Sequence, residues 1–322
     1  MRVGVLGAGA IGGVIAARLA MAGHHTAVVA RGAHLAAIEA RGLRLREEGR
    51  DRCVDVTPVA DAADLGELDI LFLSVKAHDL EAATARLDPR LLARAVIVPV
   101  LNGIPWWYRP PGSASPLGAI DPSRTLSQRF AASELVAAVA HFAADVPEAG
   151  VVKQVSEGSL LLGRAAGDAG QADRVRAAFR DQGFDVRVAE DIVREVWVKL
   201  VGNVAFNPVS ALTGATMSEI CANAALINVV RSAMGECMNV GASCGVSFPL
   251  SIDERIDMAR AIGGAKLSML QDIEKGRQIE AGAVLGAVSE IGRTNAVPTP
   301  TIDMLQALVS ERAARNHQRR QI

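Results

Sequence analysis

Short apolar runs recur through the first half of the chain, and segments with helical spacing separate them. The first run is Met1–Leu6, and two others cover Asp69–Val75 and Ala95–Leu101. Runs that stay apolar without alternation are typical of strands buried on both faces, as in a parallel sheet covered by helices. The pattern therefore predicts an α/β domain built on a mostly parallel sheet.

The hydrophobic periodicity changes near residue 190. Before that point it predicts further strands and another helix, and from Asp191 onward it predicts long helices with little strand signal. We therefore expect two domains, an α/β domain over residues 1–190 and an all-helical domain over residues 191–322. The further strands are Leu135–Phe142, Val151–Val155, Ser159–Leu162 and Asp185–Val188, and the helix is Gln171–Gln182.

A glycine-rich turn directly follows the first predicted strand and opens a helix. Its residues are Gly7-Ala8-Gly9-Ala10-Ile11-Gly12, and a second strand follows the helix at Thr26–Ala30. In this arrangement Gly7 permits a tight turn, Gly9 lets the backbone approach a pyrophosphate, and Gly12 lets the helix pack closely on the strand. An ordinary turn between strand and helix is the less favoured alternative. The position of the motif predicts a Rossmann-type dinucleotide site.

The residue after the second strand indicates which dinucleotide is bound. NAD sites usually carry an acid there to hold the ribose 2′-hydroxyl. This chain has Ala30-Arg31-Gly32 at that point and no acid before Glu39. Because an arginine can pair with a 2′-phosphate that an acid would repel, Arg31 predicts NADP(H). The alternative is a plain surface arginine.

Two polar residues and an aromatic loop follow the later strands. Lys76 comes directly after one apolar run, and Asn102 comes directly after the next. Ligands bind parallel sheets beyond the carboxyl ends of the strands, so we expect both residues at that edge. Residues 105–124 then form a loop that contains Trp106-Trp107-Tyr108. We expect at least one of these aromatic side chains to cover a cleft or a partner subunit as a lid, with core packing as the alternative.

Composition and charge exclude several classes of protein. The chain has 322 residues and a net charge of −1, which gives no electrostatic reason to bind nucleic acid or a membrane surface. No apolar run reaches the roughly 20 residues that span a bilayer. We expect a cytoplasmic protein without a signal peptide, because four cysteines form no Cys-x-x-Cys pair and the first strand opens at Met1. We also expect no metal, a small-molecule substrate and, as one candidate assembly, a homodimer.

The first long helix of the second half carries a second group of candidate residues. Lys199 and Asn203 lie four residues apart and share a helix face, which Asn207 continues. Pro208 predicts that the helix bends or stops at Asn207. A lysine among apolar neighbours has a lowered pKa and can act as a proton donor, although a snorkelling lysine is the alternative. The chain has only five lysines against 29 arginines, so lysine is not its default cation.

Further polar candidates lie between Ser268 and Glu280. On one straight helix these two side chains would point about 120° apart. Gly276 is predicted to separate two helices, which would let both side chains converge. A solvated charged turn is the alternative.

Together these residues resemble the ketopantoate reductase (2-dehydropantoate 2-reductase) family. The resemblance covers nearly the whole chain, and the segments of the second half are the more specific ones, since many dehydrogenases share the glycine motif. The matching segments are Gly7–Gly12, Arg31, Ser74-Val75-Lys76-Ala77, Leu101-Asn102-Gly103, Lys199 through Asn203 to Asn207-Pro208, and Ser268-Met269-Leu270-Gln271-Asp272 leading to Glu280.

The resemblance implies NADPH-dependent reduction of ketopantoate to pantoate, a step of pantothenate biosynthesis. It implies that Lys199 is the general acid that protonates the keto oxygen and that Glu280 holds the substrate's hydroxyl. Asn102, Asn203, Asn207 and Ser268 would line the substrate pocket. Gly7, Ala8, Gly9, Ala10, Ile11, Gly12, Arg31, Lys76 and Asn102 would contact the cofactor.

Two departures from the family pattern concern the substrate. Glu280 is followed by Ala281-Gly282-Ala283, where the family commonly has a hydrophobic residue and an acid, and the aromatic loop is longer than the usual connection. The alternatives are therefore a reductase of a different or bulkier 2-oxoacid, a β-hydroxyacid dehydrogenase, or a non-catalytic NADP-sensing protein. The last two lack support, because the chain has no Gly-rich substrate loop after the central strand and does have a lysine in an apolar setting.

Overall fold

The computed structural model describes residues 1–47, 49–130, 135–165, 170–180 and 183–319. The chain forms two compact units that do not follow sequence order strictly. Unit 1 comprises Met1–Leu101 with Thr125–Ile192, and unit 2 comprises Asn102–Arg124 with Val193–Ile322. Sequence reasoning placed residues 102–124 in the first domain, whereas they cluster with the helical unit.

Unit 1 is an α/β unit with short helices. Its strands are β1 (Arg2–Leu6), β2 (His25–Val29), β3 (Leu43–Glu47), β4 (Arg50–Val54), β5 (Thr57–Val59), β6 (Ile70–Leu73), β7 (Val96–Pro99), β8 (Val136–Ala140), β9 (Ala144–Glu148), β10 (Val151–Gln154), β11 (Ser159–Arg164) and β12 (Asp185–Val188). Its helices are α1 (Ala10–Met21), α2 (Gly32–Arg41), α3 (Leu80–Thr84), α4 (Pro89–Leu92), α5 (Thr125–Arg129) and α6 (Gly170–Ala178), with 3₁₀ turns at Ala62–Leu65 and Ala77–Asp79.

The main sheet of unit 1 is parallel and has the strand order β5-β2-β1-β6-β7. Isolated parallel bridges from Ile97 to Leu135 and from Val100 to Ala138 connect β7 to a three-stranded sheet of order β12-β11-β8. The central strands are fully buried, as their unbroken apolar runs predict. The predicted Rossmann-type, mostly parallel sheet is confirmed.

A second sheet, of order β4-β3-β10-β9, packs on helix α1. The sequence pattern did not predict β3, β4 or β9, because charged residues interrupt them. In β3 the side chains of Leu43 and Leu45 are fully buried while Arg44 between them is exposed, which is the alternation of a one-sided strand. Arg18 of α1 is 5% exposed, and it forms an ion pair with Glu47 and donates a hydrogen bond to Gln154 at 2.8 Å.

Unit 2 combines the segment 102–124 with a set of helices. From Val193 onward it contains no strand among the residues that the structure describes, so the predicted all-helical region is confirmed. The helices are α7 (Ile192–Thr213), whose first residue belongs to unit 1, α8 (Met217–Ala222), α9 (Ala224–Ser243), α10 (Ile252–Ile262), α11 (Ser268–Lys275), a π-helical turn (Gly282–Gly286), α12 (Ala287–Thr294) and α13 (Pro300–Arg319). In the described part of the chain, no helix has the length and apolar character needed to cross a membrane.

Helix α7 does not stop at Asn207 but continues through Pro208 to Thr213. A proline inside a helix removes one backbone hydrogen bond and costs about 3 kcal/mol. Phe206 and Val209 on either side are each 3% exposed, so burial of the flanking side chains offsets this cost. Of the bend or stop predicted at Asn207, the stop is therefore wrong.

The segment 102–124 is docked on the helices of unit 2 by hydrogen bonds that its backbone amides donate. The Ile104 amide donates to the Ala283 carbonyl at 2.9 Å, and the Gly118 and Ala119 amides each donate to the Glu290 carboxylate at 2.8 Å. Glu290 lies on α12, so its carboxylate fixes the far part of the segment as the Ala283 carbonyl fixes its start.

The three aromatic residues of this segment belong to the core. Trp106, Trp107 and Tyr108 are 1%, 6% and 5% exposed, and the Tyr108 ring packs edge-on against Trp197 of α7 with centroids 6.0 Å apart. The expectation that at least one of them covers a cleft or a partner subunit is wrong. Turn geometry within the docked segment lets consecutive side chains all point inward, which a regular strand or helix would not allow.

Replacing Trp106 by alanine should lower the free energy of unfolding by about 3–5 kcal/mol, because a fully buried indole is removed and a cavity is left. Denaturant unfolding followed by circular dichroism measures the change. Met304→Ala is the control, since Met304 is 61% exposed on α13 and its loss should cost no more than about 0.5 kcal/mol. Equal effects of the two substitutions would contradict the core assignment.

Candidate active site

The glycine turn of unit 1 has the conformation that its three glycines predict. Gly7 has a φ of +103°, and a Cβ there would lie 2.9 Å from the Val75 backbone nitrogen. A Cβ on Gly12 would overlap the Gly7 carbonyl oxygen and the Ser74 hydroxyl. The turn and the close packing of α1 on β1 and β6 therefore require glycine at both positions.

Gly9 differs because it faces open space. A Cβ on Gly9 would meet no described atom within 4 Å outside its chain neighbours, and no side chain caps α1 at this residue. Ala10 and Ile11 open the helix and are partly exposed, and the first N–H groups of a helix have no intrahelical acceptor. These free donors at the positive end of α1 fit the pyrophosphate of a dinucleotide.

Arg31 and Lys76 lie at the same edge of the parallel sheet as this turn. The turn, Arg31 and Lys76 follow β1, β2 and β6, which are neighbours in the sheet. Arg31 is exposed at the N-terminus of α2, and Lys76 is partly buried ahead of the Ala77–Asp79 turn. Unit 1 therefore presents two cations at the edge of the parallel sheet that carries the glycine turn.

In unit 2, three predicted site residues form one hydrogen-bonded chain. The Lys199 ammonium donates to Asn102 Oδ1 at 2.9 Å, and Asn102 Nδ2 donates to Glu280 Oε2 at 3.3 Å. Lys199 lies on α7, and Asn102 is the first residue of the docked segment. Glu280 lies two residues before the π-helical turn Gly282–Gly286 that leads into α12. Asn102 was predicted as a cofactor and substrate ligand, and the structure places it between the lysine and the carboxylate.

Desolvation lowers the pKa of Lys199 from 10.5 to about 8, and the negative charge of Glu280 opposes this shift. Lys199 is flanked on α7 by Val196 and Leu200, which are 8% and 1% exposed. A lysine with such a pKa is still protonated at neutral pH but gives up its proton more readily than an exposed lysine. It can therefore serve as a general acid near physiological pH.

Glycine and π-helical geometry bring Asn102 and Glu280 together. Gly103 has a φ of +77°, and a Cβ there would overlap the Ala283 carbonyl, so only glycine permits this approach. The π-helical turn Gly282–Gly286 follows Glu280 closely, and a Cβ on Gly282 would lie 2.8 Å from the Ala119 carbonyl oxygen. Gly282 and Ala283 are thus part of the surface on which the docked segment lies.

The remaining predicted substrate residues are placed differently. Asn203 is partly buried one turn beyond Lys199, and Asn207 is 4% exposed with an Oδ1 that accepts no hydrogen bond from the described residues. A buried acceptor of this kind fits a ligand donor. Ser268 is exposed at the first residue of α11, and the hydrogen bonds found in the described part of the chain do not join it to Glu280. Gly276 ends α11, as predicted, and it has the left-handed backbone conformation.

Sequence reasoning missed one residue beside the glycine turn. His34 of α2 contacts the Ala8 carbonyl oxygen at 2.8 Å. The only signal available was a histidine three residues after Arg31, in a chain with six histidines.

Comparison with known proteins identifies relatives over the whole length of the chain. The family model Ketopantoate reductase PanE/ApbA matches residues 3–167, and the model for the C terminal part of the same family matches residues 191–313. A curated 2-dehydropantoate 2-reductase of Mesorhizobium japonicum is 40% identical over 317 residues, which covers 96% of this chain and 97% of the relative.

Solved structures agree with these matches. A candidate ketopantoate reductase from Ralstonia solanacearum superposes with a TM-score of 0.90 at 35% identity, and the match covers 98% of each chain. A D-mandelate dehydrogenase, solved with NADH and anilino(oxo)acetate, shares the fold with a TM-score of 0.85 at 21% identity over 98% of this chain and 99% of that one.

Removing the charge of Glu280 in a Glu280→Gln variant should lower the pKa of Lys199 further below about 8, because that charge opposes the desolvation of the ammonium. An NMR titration of the lysine side chains measures it. Glu274→Gln is the matched control, since Glu274 pairs with Lys266 at 2.7 Å and should leave the Lys199 pKa unchanged. A Lys199 pKa that stays constant or rises in Glu280→Gln would show that the carboxylate does not act on the lysine.

Proposed function

Because the chain belongs to the ketopantoate reductase family, and is therefore an oxidoreductase that acts on CH–OH groups, we propose that it reduces a 2-oxoacid to the 2-hydroxyacid with NADPH. The proposed substrate is 2-dehydropantoate. The observation that supports this most directly is the hydrogen-bonded chain from Lys199 through Asn102 to Glu280, with its lysine of lowered pKa.

In the proposed reaction Lys199 protonates the keto oxygen. A bound dihydronicotinamide would provide the hydride for the keto carbon, and this chain's own residues would provide the one proton that the oxygen requires. Lys199 holds that proton at Nζ, and Asn102 Oδ1 orients the ammonium. After the reaction the neutral amine stays in an apolar setting that tolerates it.

Glu280 and the asparagines provide the polar groups for the rest of the substrate. In this proposal the Glu280 carboxylate accepts a hydrogen bond from the hydroxyl of ketopantoate, while Asn203, Asn207 and Ser268 hold its other oxygens. The unpartnered Oδ1 of Asn207 supports a ligand donor at its position. Asn102 would then have two roles, of which the main one is to orient the Lys199 ammonium and the second is to contact the substrate.

The proposed cofactor preference rests on unit 1. The open space at Gly9 fits the pyrophosphate, and the exposed Arg31 with Lys76 nearby fits the 2′-phosphate of NADPH. No acidic residue follows β2 to hold an unphosphorylated ribose as NAD sites do. Arg31 is thus the residue on which the choice of NADPH over NADH depends.

A reductase of a bulkier 2-oxoacid is the second candidate. A structural neighbour with this fold is a D-mandelate dehydrogenase that binds NADH and an aromatic oxoacid analogue. Ketopantoate and an aromatic 2-oxoacid such as phenylglyoxylate therefore belong in the same assay, and the higher kcat/KM decides between them.

Replacing Arg31 by alanine should weaken NADPH binding about ten- to a hundredfold and leave NADH binding nearly unchanged, because one charged phosphate contact is lost. Fluorescence titration with both cofactors measures the two Kd values. Arg41→Ala is the control, since Arg41 is exposed at the other end of α2. Equal affinity of the unmutated protein for NADPH and NADH would refute the proposed preference.

Replacing Lys199 by alanine should lower kcat for ketopantoate about 10²–10⁴-fold with little change in NADPH binding, the usual loss for a general acid. In the unmutated enzyme, kcat/KM for reduction should fall above pH about 8, where Lys199 loses its proton. Oxidation of pantoate should fall below that pH, because it needs the neutral amine.

The control for this experiment is Lys266→Ala, which removes an exposed lysine of the same unit. Steady-state NADPH oxidation follows both variants over a panel of 2-oxoacids. An undiminished rate in Lys199→Ala would assign the proton donor elsewhere, and failure of every 2-oxoacid in the panel would refute the proposed reaction.

A further inference from the structure

His34 is held by hydrogen bonds at both of its ring nitrogens. Nε2 lies 2.8 Å from the Ala8 carbonyl oxygen, and Nδ1 lies 2.9 Å from the Gly150 amide nitrogen. A carbonyl oxygen can only accept and a backbone N–H can only donate. The ring must therefore be the neutral tautomer with its proton on Nε2, which donates to Ala8 while Nδ1 accepts from Gly150.

The contact with Ala8 fixes the glycine turn. The Ala8 amide donates to the Val29 carbonyl of β2 at 3.0 Å, so both polar groups of this residue are bound. Gly9 and the first turn of α1 follow directly. The direction of their free N–H groups therefore depends on where Ala8 is held.

The contact with Gly150 ties the same histidine to the second sheet. Gly150 lies between β9 and β10 with a φ of +80°, and a Cβ there would lie 2.9 Å from the Ala37 Cβ of α2. Its carbonyl accepts from the Arg44 amide of β3 at 2.9 Å. This close approach places the Gly150 N–H within hydrogen-bond distance of His34, which lies one helical turn before Ala37.

We propose that His34 is a positioning residue that clamps the phosphate-binding turn at Ala8 and helix α2, with Arg31 at its start, to the β9–β10 turn at Gly150. The inference rests on the proposed dinucleotide cofactor. The clamp sets the separation between the pyrophosphate donors of α1 and the N-terminus of α2. It lowers the cost of ordering the turn when a dinucleotide binds.

Acid should open the clamp. Burial lowers the pKa of His34 below its ordinary value of 6.5, and the hydrogen bond to Ala8 opposes the shift, so the ring is neutral at pH 7. As the pH falls through this lowered pKa, Nδ1 gains a proton that points at the Gly150 N–H, and that hydrogen bond is lost. The elements around His34 carry several charged groups. They are Arg31, Glu39 and Arg41 at α2, Arg18 of α1 with its partner Glu47 of β3, Arg44 and Arg46 of β3 with their partner Asp51, Asp145 and Glu148 of β9, and Lys153 of β10.

Three variants separate the two hydrogen bonds of the clamp. His34→Ala removes both. His34→Gln places an amide donor near the position of Nε2 and does not titrate, so it can keep the bond to Ala8 at every pH. His25→Gln is the matched control, because His25 is an exposed histidine of β2 in the same unit.

Isothermal titration with NADP⁺ and NAD⁺, which survive acid, measures the effect on binding. At pH about 7.5, His34→Ala should weaken binding of both dinucleotides about tenfold, as expected for losing a positioning hydrogen bond, and His34→Gln should weaken it less. As the pH is lowered from about 7.5 through the lowered pKa of His34, NAD⁺ affinity should fall in the unmutated protein and in His25→Gln but not in His34→Gln. NAD⁺ is decisive here, since the 2′-phosphate of NADP⁺ itself titrates.

Two further readouts distinguish positioning from loss of folding. Hydrogen exchange of the Gly150 amide in the free protein should speed up in His34→Ala, and kcat at saturating cofactor should stay unchanged while the cofactor KM rises. Unchanged dinucleotide Kd or Gly150 exchange in His34→Ala, or parallel pH curves for His34→Gln and the unmutated protein, would overturn the clamp. An unmutated protein that binds dinucleotide and shows the clamp but reduces no 2-oxoacid would refute the proposed reaction alone.

Discussion

The hydrogen bond from the Lys199 ammonium to Asn102 Oδ1 is the interaction on which the geometry of unit 2 depends. An ammonium taken out of water needs acceptors, and leaving it without one would cost several kcal/mol. The amide of Asn102 can face the lysine with its oxygen only because its nitrogen faces the Glu280 carboxylate. Asn102 thus places a dipole between a positive and a negative charge, with each end directed at the charge it favours.

That arrangement explains features of the chain far from the lysine. Asn102 must be held close to Glu280, and the hydrogen bond from the Ile104 amide to the Ala283 carbonyl fixes the start of the segment there. The close approach excludes a side chain at Gly103 and leaves little room at Gly282. The burial of Trp106 and the hydrogen bonds from the Gly118 and Ala119 amides to the Glu290 carboxylate then anchor the rest of the segment. A run of small and aromatic residues with no catalytic chemistry of its own is therefore needed to place one amide.

Local signals in the sequence predicted those parts of the structure that depend on residues close together along the chain. The strand, glycine turn and helix at the N-terminus, and the shared face of Lys199 and Asn203, follow from spacing alone. The pairing of Asn102 with Glu280 could not be predicted, because 178 residues separate them and only tertiary packing joins them. The family resemblance named both residues but not the bond between them. Strand β3 was missed for a different reason, since arginines alternate with its buried leucines.

The choice of lysine at position 199 follows from the same electrostatics. Arginine outnumbers lysine 29 to five in this chain, yet a guanidinium cannot release a proton in the physiological range, whereas desolvation can bring a lysine to about 8. The neutral partner matters equally. An aspartate in place of Asn102 would stabilise the ammonium and raise its pKa, and removing Glu280 would lower it. The neutral amide of Asn102 contacts the lysine, and the Glu280 carboxylate lies on the other side of that amide. Together they keep Lys199 charged at neutral pH and still able to lose its proton.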